Sequence, residues 1–450
     1  MMHIGSGGVE NCELYRKTVD AASQSYILRC PAILTSLQTH AVSYEKIIKT
    51  QEALTLQNLR ELSSSRAAFS NSLAKYARQQ QRSGGGAGAG EEGDHLEDTH
   101  RWAERYVSLL LNFAHKYEHT EKRKTLMFRW AGFCGGDGAR HFELRDVRHE
   151  LAMVMILQAA ALREMGYAKA EASKLDSVKR AATGVTTTSA DDIALSATML
   201  RRAAGIYDFV SCDTAHSQGD EAMLAAAGLL QKLKEERALP ANRPAELSMS
   251  VNVAFHFLCL ADVQSLTAGR AEAKTAAVLF TDERERREKK LQCVSFGTVS
   301  ALFRAAANFY DTASGHIKHN ASEYNSISGL LLDLLAVSQQ LALARALRCH
   351  ALQKREDCQP GEAIRSCETA LQALAFCKEV ASGRKMSDWL KQASIEADIL
   401  RELLHKVKTE NQVVYFQTVP EAASLPPEKV LVSTLAFQPQ IKRQNLFIDA

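Results

Sequence analysis

Hydrophobic residues recur at intervals of three and four along most of this chain, a spacing that places them on one face of an α-helix. Leu59, Leu62, Phe69 and Leu73 follow this spacing inside a helical stretch over residues 11–82. Further helices are predicted at about 102–117, 141–165, 190–212, 220–237, 245–280, 295–318, 324–355, 360–382 and 386–410, with Pro240, Pro244 and Pro360 between them. We therefore expect an all-α protein.

Two segments interrupt the helical pattern in the first third of the chain. Ser83–Asp94 reads SGGGAGAGEEGD and predicts a flexible glycine-rich loop, which we extend to residue 98. Thr125–Phe133 concentrates β-forming residues and is followed by glycines, so it predicts a small β-hairpin.

The pattern changes again after Asn411. The segment VVYFQTVPEAASLPPEKVLVSTLAFQPQ is apolar, β-branched and punctuated by proline, so it predicts an extended segment lying along the helices. Val413–Gln417 predicts a strand within it. Residues 441–450 are read as a short tail, and residues 1–440 as one domain.

The helices at 328–382 predict a particular way of packing. Small residues such as Ala342 and Ala346 precede the turn DCQPGEAIRSCETAL, which opens a second helix. Helix-turn-helix units of this kind stack as in tetratricopeptide repeats. No period of 34 residues recurs elsewhere, so the sequence predicts an irregular α-solenoid.

Charge and cysteine usage narrow the function. The 55 basic and 52 acidic residues nearly cancel, which does not favour nucleic acid as a partner. Ten cysteines without CxxC spacing indicate reduced thiols in a cytoplasmic protein. No secretory signal, membrane-length apolar run or C-terminal prenylation cysteine is visible, so any membrane contact should be indirect.

Candidate catalytic chemistry is weak. The glycines of Gly88-x-Gly90-x-x-Gly93 lack the preceding strand that a dinucleotide fingerprint needs. His115 and His119, like His316 and His319, lack a third ligand at metal-binding spacing. We therefore predict no catalytic residue, no cofactor and no metal, and keep a hydrolase with an unrecognised cysteine or histidine pair as an alternative.

Three stretches occur in an order that is informative together. They are Leu200–Phe209, the pair Ser300–Ala313 and Pro360–Val380, and Glu410–Pro420 followed by LVSTLAF. With LMFRWAGF upstream, they resemble the BRO-domain family of Alix- and Brox-type endosomal adaptors, and within it the single-domain, Brox-like members. The resemblance implies a boomerang-shaped helical solenoid with a tetratricopeptide-like core.

The resemblance also implies a function without a reaction. Such domains bind the C-terminal amphipathic helix of an ESCRT-III core subunit, in endosomal sorting, membrane remodelling or repair, from the cytoplasm with recruitment to endosomes. Helix-in-groove recognition uses apolar anchors at helical spacing. A helical-repeat scaffold for another complex is the alternative within the same class.

The site residues follow from the resemblance. Leu266, Thr267, Thr298, Val299 and Leu302 map onto the family's groove, although Thr267 and Thr298 stand where relatives carry larger apolar residues, each costing on the order of 1 kcal/mol. The alternative is that Leu266, Val299 and Leu302 are ordinary core residues on the buried faces of amphipathic helices.

Three further residues complete the predicted partner-binding set. Arg201 and Arg270, with Arg202 and Arg304, are candidates for a basic rim that attracts an acidic partner, or are ordinary surface arginines. Tyr415, in the predicted strand, is a candidate for accepting a partner by β-addition. The alternative is that this strand only pins the C-terminal segment to the solenoid.

Overall fold

The computed structural model describes residues 27–28, 38–83, 89–117, 126–132, 134, 141–183, 189–211, 243–280, 294–319 and 327–437. Within these ranges the chain forms ten α-helices. They are α1 (Tyr44–Ile47), α2 (Ala53–Ser83), α3 (Ala89–Tyr117), α4 (Val147–Thr183), α5 (Ser189–Ser211), α6 (Met249–Phe280), α7 (Phe296–Lys318), α8 (Gly329–Glu356), α9 (Pro360–Gly383) and α10 (Ser387–Glu410).

Among the described residues, each helix from α3 to α10 packs against the described helix before it. Local antiparallel packing of this kind produces a solenoid, because every helix buries its apolar side on its neighbours in sequence. The predicted all-α helical solenoid is therefore confirmed. The α8–α9 unit begins its second helix at Pro360, where proline costs no hydrogen bond.

A three-stranded antiparallel sheet lies against α2 to α4. The strands are β1 (Gln38–Thr39), β2 (Phe128–Ala131) and β3 (His141–Leu144), in the order β1-β2-β3. The predicted hairpin is confirmed as β2 and β3. The helix predicted from residue 141 was wrong at its start, because 141–144 pair with β2 and α4 begins only at Val147.

A buried carboxylate joins the sheet to the helices around it. Glu150 of α4 accepts hydrogen bonds from Arg66 Nε at 2.9 Å, Trp130 Nε1 at 2.6 Å and Tyr106 OH at 3.1 Å. All four side chains are buried. Breaking a buried pair leaves an uncompensated charge, so separating these elements is costly. The contact therefore holds α2, α3 and α4 against β2.

Other boundaries differ from those predicted. Helix α3 begins at Ala89, so the predicted flexible loop 83–98 is helical from 89 onward. Residues 84–88, the predicted helix 220–237 and the tail 441–450 lie outside the described residues.

The expectation that no apolar stretch reaches membrane length was wrong, because three helices are long and apolar enough, by length and composition, to cross a membrane. They are Val147–Glu171, Met249–Ala276 and Gly329–Glu356. In the solenoid, 89%, 72% and 61% of their most apolar windows are buried. Their apolar surface is thus used mainly for packing against other helices.

The predicted strand Val413–Gln417 was wrong. Asn411–Tyr415 continue α10 as a π-helical turn, and Phe416 adopts a left-handed conformation with φ of 55°. The side chain of Asn411 bonds both the N–H and the C=O of Gln417. This double contact closes the turn and reverses the chain. Residues 411–417 form no strand.

Candidate partner-binding surface

Helices α6 and α7 pack side by side and are locked together by a buried charge. Asp262 of α6 accepts hydrogen bonds from Arg163 Nη2 at 2.9 Å, Tyr310 OH at 2.7 Å and Tyr167 OH at 3.1 Å. Burial raises the pKa of Asp262, although Arg163 and the tyrosine hydroxyls oppose that effect. The contact fixes the position of α6 against α4 and α7.

The large apolar residues predicted for the groove are interior. Leu302 is 1% exposed, Val299 is fully buried and Leu266 is 5% exposed. Val299 and Leu302 pack in one cluster with Ala268 and Phe303. The expectation that these side chains line an open groove was therefore wrong, because helix packing takes them into the core.

The polar members of the predicted site lie at the surface. Thr267, Thr298 and Arg270 are all half-exposed. Thr267 Oγ1 donates to the carbonyl of Val263 one turn back, and the N–H of Thr298 donates to the N-cap Ser295. The Thr267 hydroxyl is thus bonded to the helix backbone, and the Thr298 hydroxyl lies 3.1 Å from Ser295 Oγ, so the apolar part that each side chain offers is its methyl group.

The chain's own C-terminal segment crosses this surface. We call residues 425–437 the strap. On α7, Arg304 Nη1 donates to the carbonyls of Leu425 and Pro426, at 3.0 and 2.5 Å. The N–H of Lys429 donates to the carbonyl of Ala301 at 3.1 Å.

Gln264 holds the strap on α6. Its Nε2 donates to the carbonyl of Lys429 at 2.8 Å and to that of Leu302 at 3.2 Å. Its Oε1 accepts from the N–H of Leu431 at 3.2 Å. The Gln264 side chain is fully buried, so it hydrogen-bonds the strap backbone on both sides of Val430 from a fixed position.

Helix α5 holds the last part of the strap. Arg201 Nε donates to the carbonyl of Ser433 at 2.6 Å, and the N–H of Leu435 donates to the carbonyl of Arg201 at 3.3 Å. A Cβ atom on Gly205 would lie 1.9 Å from the carbonyl oxygen of Leu435, so only glycine permits this approach. Arg201, predicted as a rim residue, is thus occupied by the chain itself, as is Arg304.

The strap supplies exposed apolar side chains that the sequence reasoning missed. Val430 is 49% exposed and Leu431 is 56% exposed. Val432 instead packs against the buried cluster that contains Leu200 and Leu266. The β-branched run KVLVSTL was the available signal, because it predicted an extended segment but not the surface it crosses.

Positively charged side chains lie near the same surface. Arg270 is half-exposed and Lys274 and Lys429 are exposed. None of the three side chains forms an ion pair with another residue in the described part of the chain. Helix α6 rises about 1.5 Å per residue, so Arg270 stands roughly 9 Å along it from Gln264. The surface therefore favours an anionic group beside an apolar one.

An aromatic group lies nearer the start of α6. Phe257 stacks on His316 with ring centroids 5.6 Å apart, and Phe309 lies 6.1 Å from Phe257. Burial, followed by His319 and His256, lowers the pKa of His316. Among the described residues, no group of three or more side chains has a metal-binding arrangement.

Tyr415 lies elsewhere, on the π-helical turn. Its hydroxyl donates to Cys358 Sγ at 3.5 Å, a contact that raises the pKa of Tyr415. Val413, Val414 and Phe416 beside it are 69%, 62% and 75% exposed. We call residues 411–416 the knuckle. Because the knuckle is helical, β-addition at Tyr415 has no strand edge to use.

Comparison with known proteins identifies the family of this fold. The BRO1-like domain model matches residues 59–449. The chain belongs to the BRO1-like domain family. No curated protein sequence matches the chain significantly.

Solved structures of this family share the fold. "ALIX BRO1 CHMP4C complex" is 16% identical, with a TM-score of 0.59 over 92% of this chain and 97% of that one. "Crystal Structure of ALIX in complex with the SIVmac239 PYKEVTEDL Late Domain" is 15% identical, with a TM-score of 0.60 over 91% of this chain and 49% of that one. "Structure basis for endosomal targeting by the Bro1 domain" is 12% identical, with a TM-score of 0.52 over 89% and 90%.

Proposed function

We propose that this protein is a non-enzymatic adaptor that binds the C-terminal amphipathic helix of an ESCRT-III core subunit. Membership of the BRO1-like domain family supports this, as does the fold shared with an ALIX BRO1 domain in complex with CHMP4C. The adaptor acts in the cytoplasm, is recruited to endosomes and contributes to sorting, membrane remodelling or repair. It needs neither nucleic acid nor direct insertion into a membrane.

The binding surface that we propose combines two parts of the chain. Thr267 and Thr298 contribute small apolar faces from α6 and α7, and Val430 and Leu431 contribute larger ones from the strap. Leu266, Val299 and Leu302 lie beneath as part of the packed core. An amphipathic helix would place its apolar side over the threonines and the strap.

The exposure of Leu431 on a fixed backbone is the observation that carries the proposal. Binding still costs the rotamer freedom of the Leu431 side chain. The backbone of the strap, however, is already held by Gln264 and Ala301, so little further backbone entropy is lost. Arg270, Lys274 and Lys429 border the surface and favour acidic residues on the polar side of the partner helix.

The test is titration of a fluorescently labelled C-terminal helix from the ESCRT-III core subunit of the same organism. Leu431→Asp should weaken binding by about tenfold or more, because it puts a charge where apolar contact is needed. Val413→Asp is the matched control, since Val413 is at least as exposed but lies on the knuckle. It should bind within about twofold of the unmodified protein.

Two outcomes contradict the proposal. Absence of saturable binding by the unmodified protein would reject the partner and favour a scaffold for another complex. Equal binding by Leu431→Asp and the unmodified protein would reject the surface. Leu302→Asp is unsuitable here, because a buried charge unfolds the site before it reports on binding.

A further inference from the structure

Between Lys429 and Leu435 the strap lies edge-on against the helices, and its hydrogen bonds alternate along the chain, whereas the carbonyls of Leu425 and Pro426 before this stretch both accept from Arg304. The backbone groups of the alternating stretch that contact α5, α6 and α7 are the N–H and C=O of Lys429, the N–H of Leu431, the C=O of Ser433 and the N–H of Leu435. All four residues have odd numbers. In extended backbone, the N–H and C=O of one residue point to the same side, and those of the next residue point to the opposite side.

The backbone groups of the intervening residues therefore face away from the helices. Val430, Val432 and Thr434 make no backbone hydrogen bond to any residue in the part of the chain that the structure describes. Their N–H and C=O groups form the outer edge of the strap, and the groups on its inner edge hydrogen-bond to the helices. Edges of this kind pair readily with a further strand.

We propose that the outer edge of the strap binds an extended peptide segment of a partner protein by β-addition. The partner's N–H and C=O groups would pair with those of Val430, Val432 and Thr434. Its β-branched side chains would lie beside the exposed Val430 and Leu431, as cross-strand neighbours do. This mode goes beyond the helix binding proposed above and does not depend on it.

Charge indicates the chemistry of the occupant. Lys429, at the start of the edge, is exposed and forms no ion pair with any described residue. The neighbouring carboxylate of Glu428 is already hydrogen-bonded to Asn308 Nδ2. An acidic residue at one end of the bound segment would pair with Lys429, so an acidic, β-branched peptide fits this edge better than a basic one.

The experiment uses a labelled peptide of alternating threonine and valine that begins with aspartate. Saturable binding to the full chain is expected. Two N-methylated versions of the peptide, each blocking one alternate set of N–H groups, separate strand pairing from nonspecific contact. Blocking the set that faces the strap should reduce affinity by at least about tenfold, and blocking the other set should change it by less than about twofold.

Variants of the protein test the same edge from the other side. Val432→Pro removes an outward N–H and leaves every inward hydrogen bond, so the chain should fold while peptide affinity falls by at least about tenfold. Val432→Thr keeps the N–H and should bind normally. Should Val432→Pro fail to fold by circular dichroism, Thr434→Pro tests the next outward N–H.

The inference would be overturned by no saturable binding of the peptide, by equal binding of both N-methylated peptides, or by unchanged binding by a folded proline variant. Self-association of the protein that Val432→Pro abolishes, without peptide binding, would also overturn it, because it would assign the edge to a second copy of the chain.

Discussion

The knuckle and the strap both expose apolar side chains, but their backbones are held in different ways. Phe416 and Val413 on the knuckle are more exposed than Leu431 and Val430 on the strap. The knuckle is closed by local contacts, chiefly the Asn411 side chain on Gln417. The strap is held by residues more than a hundred positions away, such as Gln264.

This difference indicates where a partner would bind. Exposed apolar residues on a helix end can serve only to close the turn, and exposure alone does not identify a site. The strap presents smaller apolar side chains, but it fixes them beside lysine and arginine side chains that form no ion pair with a described residue, and one of its backbone edges makes no hydrogen bond within the described part of the chain. A surface with fixed geometry and complementary groups is therefore a better candidate for partner binding than one that is only exposed.

The largest effect is expected at Asp262, the buried carboxylate that fixes α6 against α4 and α7. Asp262→Ala leaves the buried Arg163 without its carboxylate and should lower the free energy of unfolding by about 3–5 kcal/mol. Urea denaturation measures it. Asp398→Ala is the matched control, because its pair with Arg401 is on the surface, and it should cost less than about 1 kcal/mol. Similar costs for the two variants would contradict the assignment of Asp262 as the contact that fixes α6 against α4 and α7.

An intermediate effect is expected where the strap is anchored. Gln264→Ala removes hydrogen bonds on both sides of Val430 and should lower stability by about 1–3 kcal/mol. Hydrogen exchange at the amides of Lys429 and Leu431 should accelerate.

Gln417→Ala sharpens this comparison from the knuckle side. Gln417 Oε1 accepts a hydrogen bond from the N–H of Gly361. In the Gln417→Ala variant, hydrogen exchange at the Gly361 amide should therefore accelerate, while the exchange rates of the Lys429 and Leu431 amides should stay unchanged. Faster exchange of strap amides in both variants would show that the two segments move as one unit.

The smallest effect is expected at Phe416, and its sign is opposite. Glycine tolerates a φ of 55° without the steric penalty that phenylalanine meets, and little ring burial is lost. Phe416→Gly should therefore raise the free energy of unfolding by about 0.5–1 kcal/mol. The same change at Leu431, in extended backbone, should lower it. A loss in both places would mean that the Phe416 ring contributes more than its exposure indicates.

Much of the fold could be predicted from the sequence, because helix periodicity is a local property. The helix predicted at 360–382 is found at Pro360–Gly383, and the one predicted at 295–318 at Phe296–Lys318. Errors arose where a nonlocal partner decides the conformation. His141–Leu144 pair with β2 and form a strand, although they continue directly into a helical pattern.

The candidate site was less predictable for the same reason. An amphipathic stripe gives Leu302 and Val299 one apolar face, but only packing reveals that α6, α8 and the strap together cover it. Arg201 likewise had the composition of a rim residue. Its position against Ser433, more than two hundred residues later, was not contained in any local pattern.

The sequence by itself determined the helices, the small hairpin and the extended character of the C-terminal segment, since each follows from spacing and composition within a few turns of chain. Only the tertiary structure decided which apolar residues are core, which are exposed and which strap groups face outward. Burial and hydrogen-bond pairing depend on residues distant in sequence, and those contacts exist only once the helices have packed.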